Sequence, residues 1–137
     1  MAVRVKVRLH SLHIKKEVES IALLNSGFET ESPEILLPTH VAEELGLWPN
    51  LPQTIVKTFE SPTGISRMFY LLNAIKVTIL TEDRTSKTIT CNLVISEYER
   101  EPLISDKAIG ALEVVIVNAG EGLWKFIDSP TTYKSET

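Results

Sequence analysis

The feature that most constrains the fold of this chain is an alternation of apolar and polar side chains that recurs along its length. In residues 3–9 three valines and a leucine alternate with arginine and lysine, and in residues 86–95 apolar side chains occupy every second position from Ile89 onward. A period of two places successive side chains on opposite faces of a β-strand, so each segment is predicted to bury one face. Related patterns predict further strands at 17–24, 53–59, 66–80, 113–117 and 123–127. Many short strands predict an all-β domain, closed as a barrel or folded as a sandwich.

Two short helices and several polar turns interrupt these strands. The segment "HVAEELGL" (40–47) gathers valine, alanine and leucine on one face, and Gly46 is suited to end the helix in a left-handed conformation. The segment "DKAIGAL" (106–112) is predicted to form the second helix. Proline and glycine in "ESPTG" (60–64) predict the turn of a hairpin, and the polar stretches "TEDRT" and "NAGEG" predict two more turns.

Length and composition describe one folded, soluble domain. The chain has 137 residues, of which 43% are hydrophobic and 23% are charged, as in ordinary globular domains. We expect the domain to span residues 1–127 and residues 128–137 to form a polar, frayed tail. No apolar run approaches the ~20 residues of a membrane-spanning helix, and the first residues lack the apolar centre of a secretory signal. The single cysteine, Cys91, cannot form an internal disulfide, so a cytoplasmic location is expected.

The charge pattern does not indicate a nucleic-acid-binding protein. The net charge is −4, from 14 basic and 18 acidic residues. The basic residues near the start of the chain are predicted to cover the solvent face of a strand and its turn; they are Arg4, Lys6, Arg8, Lys15 and Lys16. Proteins that neutralise phosphates usually have a larger, one-sided basic excess. We therefore expect neither nucleic acid nor a membrane as a partner.

Four elements in a fixed order carry a resemblance to a known family. They are "LLNSGF" (23–28) at the end of an apolar strand, "LPTHVAEELGL" (37–47) after a proline-bounded segment, the glycine-tipped hairpin "SPTGIS" (61–66), and "PLISDKAIGALEVVIV" (102–117). With these elements the chain resembles the retropepsin-like aspartic proteases, particularly their single-domain archaeal and bacterial relatives, over residues 3–127. The resemblance implies a closed β-barrel or sandwich with one or two short helices, forming half of a symmetric dimer.

The resemblance also implies a role for each element. In the family a strand delivers Asp-Thr/Ser-Gly to the dimer axis, a glycine-tipped hairpin forms a flap over the substrate, and a hydrophobic-hydrophobic-Gly element supports the active-site loop. The positions of the triplet are Asn25, Ser26 and Gly27. The implied substrate-binding residues of the flap and groove are Phe28, Thr63, Gly64 and Ile65. The implied supporting loop is Leu103, Ile104, Ser105 and Asp106. The implied partners are a second copy of the chain and an extended peptide, with no cofactor and no metal.

Two positions depart from the family pattern. Asn25 stands where the family has its catalytic aspartate, and Ser105 stands where it has the supporting glycine. In an aspartic protease two carboxylates share one proton, because adjacent like charges do not both ionise readily. An asparagine amide has no proton to exchange near neutral pH, so a pair of asparagines cannot activate water. We therefore expect a pseudoenzyme that folds, dimerises and holds a peptide in its groove without cleaving it.

Two alternatives stay open at this point. In the first, the chain is an active aspartic endopeptidase whose catalytic aspartate has been replaced by Asn25. Ser105 argues against this alternative, because inactivation by Asn25 does not require the supporting glycine to be replaced as well. In the second, the chain is a purely structural dimer without a ligand. The acids near the two departures, Glu29, Glu31 and Asp106, are expected to be structural or solvated rather than substitutes for the missing carboxylate.

The remaining candidate residues are expected to have structural roles. His10 and His13 lack a third metal ligand at a recognisable spacing, so they are predicted to lie in a solvated hairpin. The segment "NAGEG" lacks the lysine of a phosphate-binding loop. His40, Cys91 and Trp48 are expected to be an exposed helical residue, a buried unreactive thiol and a packed aromatic ring, respectively.

Overall fold

The computed structural model describes residues 2–51, 55–61 and 64–137, with the backbone alone described at 55–61 and 64–66. The strands are β1 (Arg4–Ser11), β2 (Glu17–Leu24), β3 (Glu34–Pro38), β4 (Ile55–Ser61), β5 (Gly64–Leu80), β6 (Ile89–Ser96), β7 (Leu103–Ile104), β8 (Val114–Asn118), β9 (Leu123–Phe126) and β10 (Thr132–Lys134). The helices are α1 (Thr39–Glu44) and α2 (Asp106–Ala111). The described residues are mostly in strands, with two helices of six residues each, which confirms a mainly β fold with two short helices. Among the described residues, no helix is long and apolar enough to cross a membrane.

Six of the strands close into a barrel. Their order is β1-β2-β7-β3-β6-β5, and β5 pairs back onto β1, with Lys6 opposite Leu80 at one end of that ladder. Strand β4 adds to the free side of β5 and pairs with it as far as Ser61 opposite Gly64. The antiparallel pairing of β4 and β5 confirms the predicted hairpin, of which positions 62 and 63 lie outside the described residues. Closure of the sheet gives each of these six strands a hydrogen-bonded neighbour on both sides.

The barrel interior is filled by the apolar faces that the alternation predicts. In β1 the side chains of Val5, Val7 and Leu9 are buried, whereas those of Lys6 and Arg8 face solvent. The inward set continues with buried residues of β5 and β6 as one hydrophobic core. Because a shift of one residue would turn every apolar side chain of β1 outward, burial of this face also fixes the register of the strand.

Strand β3 is absent from the predicted strands, and its burial explains why. All residues from Ile35 to Pro38 are buried. Strands β6 and β7 pair with the two edges of β3, parallel and antiparallel respectively, while Ile35 and Leu37 lie in the hydrophobic core and both helices contact the strand. A strand that is covered on both faces has a continuous apolar sequence without alternation. Strand β7 is two residues long, which is too short to show any period.

Strand β5 bends at Asn73, so its two halves pair with different strands. Its ladder with β6 shifts register between Leu71 and Ile75, and Asn73 has a φ of 48°. The backbone N–H of Asn73 donates to Oδ1 of Asn92 at 2.8 Å. Asparagine tolerates this left-handed conformation better than most residues do. Past the bend β5 pairs with β1, so the bend redirects the strand that closes the barrel.

The C-terminal residues form part of a second, three-stranded sheet of order β10-β9-β8. The ring of Tyr133 in β10 packs on that of Trp124 in β9, with centroids 4.8 Å apart, and its hydroxyl donates to Asp83 at 2.7 Å. The Oγ of Ser135 accepts a hydrogen bond from the backbone N–H of Arg4 at 2.8 Å. The prediction that this segment frays is therefore wrong for residues 132–135, because one aromatic ring holds a polar segment in place.

We expect Tyr133→Ala to lower the free energy of unfolding by about 1–2 kcal/mol, because it removes the ring that packs on Trp124 and Phe126. Chemical denaturation would measure the change. The matched control is Tyr98→Ala, since Tyr98 is 67% exposed and its loss should change stability little. Equal effects of the two substitutions would show that β10 contributes nothing to the folded state.

Candidate functional site

Strand β2 ends in a tight turn that presents Asn25, Ser26 and Gly27. The backbone oxygen of Asn25 accepts the N–H of Phe28 at 3.0 Å, which closes the turn. The side-chain Oδ1 of Asn25 accepts the N–H of Gly27 at 3.1 Å. Ser26 and Gly27 are exposed and Asn25 is half-buried. A Cβ at position 27 would lie 3.3 Å from that Oδ1, so a larger residue there would crowd the amide of Asn25.

Two backbone hydrogen bonds attach this turn to β7 and to the start of α2. The N–H of Asn25 donates to the carbonyl oxygen of Ile104 at 3.0 Å, and the N–H of Asp106 donates to that of Phe28 at 3.0 Å. The first bond continues the parallel pairing of β2 with β7, in which Leu24 lies opposite Ile104. The residues that the sequence assigns to a triplet and to its support are therefore in direct contact.

Ser105 joins three elements at the base of the turn. It is fully buried, and its Oγ accepts the N–H of Glu34 at 3.1 Å and the N–H of Ala108 at 3.2 Å. The second bond caps the N-terminus of α2. The N–H of Ser105 donates to the carbonyl oxygen of Glu34 at 3.0 Å. The hydroxyl thus gives one buried and one partly buried N–H group an acceptor, which a glycine at this position would lack.

Asp106 has a structural position, as expected. Its Oδ1 accepts the N–H of Thr30 at 3.0 Å and the N–H of Lys107 at 2.7 Å. The hydrogen bond from the backbone of Thr30, followed by that from Lys107, lowers the pKa of the Asp106 carboxyl below its usual range. Glu29 and Glu31 are exposed. The carboxylate of Asp106 is therefore engaged with the backbone of the loop.

An acidic cavity of about 420 Å³ adjoins the turn, and no sequence pattern predicts it. Its lining residues come from the segment after the turn and from β3, β5 and β6: Glu29, Thr30, Glu31, Ser32, Glu34, Tyr70, Leu72 and Asn92. Burial, together with the charge of Glu34, raises the pKa of the Tyr70 hydroxyl. Glu34 is the first residue of β3. Because the sequence of β3 does not alternate, its pattern could not predict that Glu34 lines the same cavity as Tyr70.

The residues predicted to form the flap are described only in part. Thr63 lies outside the described residues. Gly64 and Ile65 begin β5 and pair with Ser61 and Glu60 of β4. The backbone therefore has the hairpin arrangement at both strands, and the role of this hairpin as a flap stays a prediction.

The other candidate residues have the structural positions that the sequence indicates. His13 and His40 are exposed, and Nδ1 of His10 lies 3.2 Å from a carboxylate oxygen of Glu17 across the β1–β2 hairpin. Within the described ranges, no group of three histidine, cysteine or acidic residues is placed to hold a metal ion. The ring of Trp48 packs edge-on against Phe69, with centroids 5.1 Å apart.

Cys91 is expected to be unreactive in the folded protein. Burial, together with the charge of Glu34, raises the pKa of its thiol from 9.0 to about 12. This difference leaves about 1000-fold less thiolate near neutral pH, and the thiolate is the form that iodoacetamide alkylates. Because the thiol ionises at lower pH in the unfolded chain, this group makes the protein less stable as the pH rises from about 9 to about 12.

Mass spectrometry after a pulse of iodoacetamide would test this expectation, with alkylation appearing only in denaturant. The matched control is Thr90→Cys, since Thr90 is exposed on the opposite face of the same strand and a thiol there should react at once. Alkylation of folded Cys91 at the rate of that exposed thiol would contradict its assignment as a buried, inert group.

A search against protein-family models finds no matching family, and a search of curated proteins finds no matching sequence. The chemistry open to the Asn25 turn follows from its own geometry. It presents a carboxamide, a hydroxyl and a glycine at the surface, on a backbone fixed at both ends by hydrogen bonds.

Proposed function

We propose that this protein is a retropepsin-like domain that dimerises through its Asn25-Ser26-Gly27 turn and binds an extended peptide without cleaving it. The observation that carries the proposal is the exposed turn at the end of β2, tied to β7 by Asn25 and to the start of α2 by Phe28. Of the four elements on which the resemblance rests, two are in contact: the turn in residues 23–28 hydrogen-bonds to residues 102–117 through Ile104 and Asp106.

The amide of Asn25 supports binding and excludes the proton transfers of an aspartic protease. Its Oδ1 is engaged by Gly27, and its Nδ2 makes no hydrogen bond within the described part of the chain. At a two-fold axis each Nδ2–H can donate to the amide oxygen of the other subunit. Neither amide can take a proton from water or give one to a substrate carbonyl, and both transfers are needed for hydrolysis.

The proposed ligand is a peptide in extended conformation. Main-chain hydrogen bonds beside the β4–β5 hairpin would hold it, as in the addition of a strand to a sheet. Such recognition does not require the catalytic acid, so it survives the replacement by Asn25. Incubation of the protein with a library of extended hydrophobic peptides should give peptides that bind and are recovered intact. Recovery of no bound peptide from the library would contradict the binding part of the proposal.

We expect the isolated protein to be a homodimer with a mass of about twice 15.3 kDa, because the site proposed here is complete only when two turns meet at a two-fold axis. Multi-angle light scattering at micromolar concentration would measure the mass. Ser26→Arg places a like charge from each subunit at the axis and should shift the population toward monomer, whereas Ser129→Arg, in the C-terminal segment, should not. A monomeric mass for the unaltered protein would rule out the proposed assembly.

A further inference from the structure

The bond between Asn25 and Ser26 differs chemically from the other asparagine linkages of the chain. The other four asparagines are each followed by leucine or alanine; they are Asn50, Asn73, Asn92 and Asn118. A serine after asparagine hinders attack by its own backbone nitrogen less than leucine does, and its electron-withdrawing hydroxyl makes that N–H easier to deprotonate than the N–H of an alanine. Ser26 is exposed, as is Ala119, whereas Ala74 and Leu93 are buried.

The hydrogen bonds of the turn leave the attacking nitrogen free and polarise the group that it attacks. The N–H of Ser26 donates no hydrogen bond among the residues that the structure describes. The N–H of Gly27 donates to Oδ1 of Asn25 at 3.1 Å. A donor at this oxygen stabilises the negative charge that develops on it when a nucleophile adds to Cγ, as an oxyanion hole does.

From this juxtaposition we propose that Asn25 is a site of spontaneous deamidation, which converts its amide into a carboxyl group. The backbone nitrogen of Ser26 forms a bond to Cγ of Asn25 and loses its proton, while the bond from Cγ to Nδ2 breaks and ammonia leaves with that proton. The product is a five-membered imide. Water then adds to one of the two imide carbonyls and returns a proton to the nitrogen of Ser26. Opening at Cγ gives aspartate, and opening at the backbone carbonyl gives isoaspartate.

The consequence for function rests on the function proposed above. Molecules that open to aspartate carry at position 25 the acid that the retropepsin-like proteases use, so a population of this protein would acquire a carboxyl with time. The reaction needs one water molecule and no second protein, and it can therefore take place in a subunit before assembly. Molecules that open to isoaspartate carry an extra methylene in the backbone, which displaces the turn from its anchors at Ile104 and Asp106.

The test is a time course of the full chain in neutral and mildly alkaline buffer made with heavy-oxygen water, followed by peptide mapping. We expect heavy oxygen to enter the peptide that contains Asn25 several times faster than the peptides that contain the other four asparagines, and faster in the alkaline buffer. Ser26→Ile should slow the reaction, because a β-branched side chain hinders the attacking nitrogen. Asn25→Gln should nearly abolish it, because a six-membered imide forms far more slowly.

Incorporation at position 25 no faster than at the other asparagines would overturn the proposal, and so would an unchanged rate in Ser26→Ile. These readouts are masses of peptides and do not depend on dimerisation, on peptide binding or on catalysis. If the proposed function is wrong but this inference is right, Asn25 deamidates and the protein gains no activity. If this inference is wrong, the amide stays intact, whatever the protein binds.

Discussion

Asn25→Asp is expected to hydrolyse extended, hydrophobic peptides, most rapidly in acid, whereas the unaltered protein is expected to cleave no peptide at any pH. The substitution changes an amide to a carboxyl of nearly the same shape. The N–H of Gly27, which donates to Oδ1 of Asn25, therefore keeps a side-chain oxygen as its acceptor. In the proposed dimer the two new carboxyls share one proton, and this pair provides both the base and the acid of the reaction. Acid favours turnover because the singly protonated pair is the active form.

The anchors of the turn determine how large the gain will be. A misplacement of about 1 Å can cost ~100-fold in rate. The hydrogen bonds on either side of Ser105, from Asn25 to Ile104 and from Asp106 to Phe28, are both 3.0 Å long, so the serine does not separate the supporting residues from the turn. We therefore expect readily measurable turnover by Asn25→Asp that a transition-state-like hydroxyl inhibitor abolishes.

Peptide-library cleavage followed by mass spectrometry would measure this gain. The matched control is Asn118→Asp, which adds a carboxylate at another exposed turn and should remain inactive. Because deamidation would itself produce aspartate, the unaltered protein must be shown by mass to be fully amidated at position 25. Robust turnover by such material would overturn the assignment as an inactive homologue, and absence of turnover by a dimeric Asn25→Asp would count against the proposed site.

The second large effect is expected at Ser105. Ser105→Ala removes the acceptor of two N–H groups, those of Glu34 and Ala108, in a residue that is fully buried. Loss of a helix N-cap costs about 1 kcal/mol, and a buried N–H without an acceptor costs about 1–3 kcal/mol. We therefore expect the free energy of unfolding to fall by about 2–4 kcal/mol in total.

Chemical denaturation would measure this loss, and two further variants would locate its cause. Ser105→Thr keeps the hydroxyl and should recover much of the stability, whereas Ser20→Ala removes a hydroxyl of β2 that makes no hydrogen bond in the described part of the chain and should have little effect. If Ser105→Ala and Ser20→Ala were equally mild, the hydroxyl would not be the group that joins β3 to α2.

The parts of the fold that the sequence predicted are those in which one strand or helix determines its own pattern. Strand β1 has a solvent face and a core face, so its alternation was visible without any neighbour. Gly46 was expected to end the first helix in a left-handed conformation, and its φ is 73°. Each of these features depends on the local balance between apolar burial and backbone conformation.

The parts that the sequence missed depend on what lies across the barrel. Strand β3 has no alternation because both of its faces are buried, and both helices contact it. The C-terminal segment looked free to fray, and it is held because Tyr133 meets Trp124 of the neighbouring strand. Glu34 and Tyr70 line one cavity although they are far apart in sequence and lie on different strands.

The sequence by itself determined that an amide, not a carboxyl, stands at position 25. The prediction that the proton transfers of an aspartic protease are lost follows from the sequence too, because it depends only on the chemistry of that side chain. The sequence also determined the alternation that selects an all-β fold. Only the tertiary structure decided how the amide is held. The turn is fixed because β7 and the start of α2 offer Ile104 and Asp106 to its backbone, and Ser105 fits beneath it because two N–H groups converge on one hydroxyl. Such convergence depends on residues distant in sequence, so no local pattern contains it.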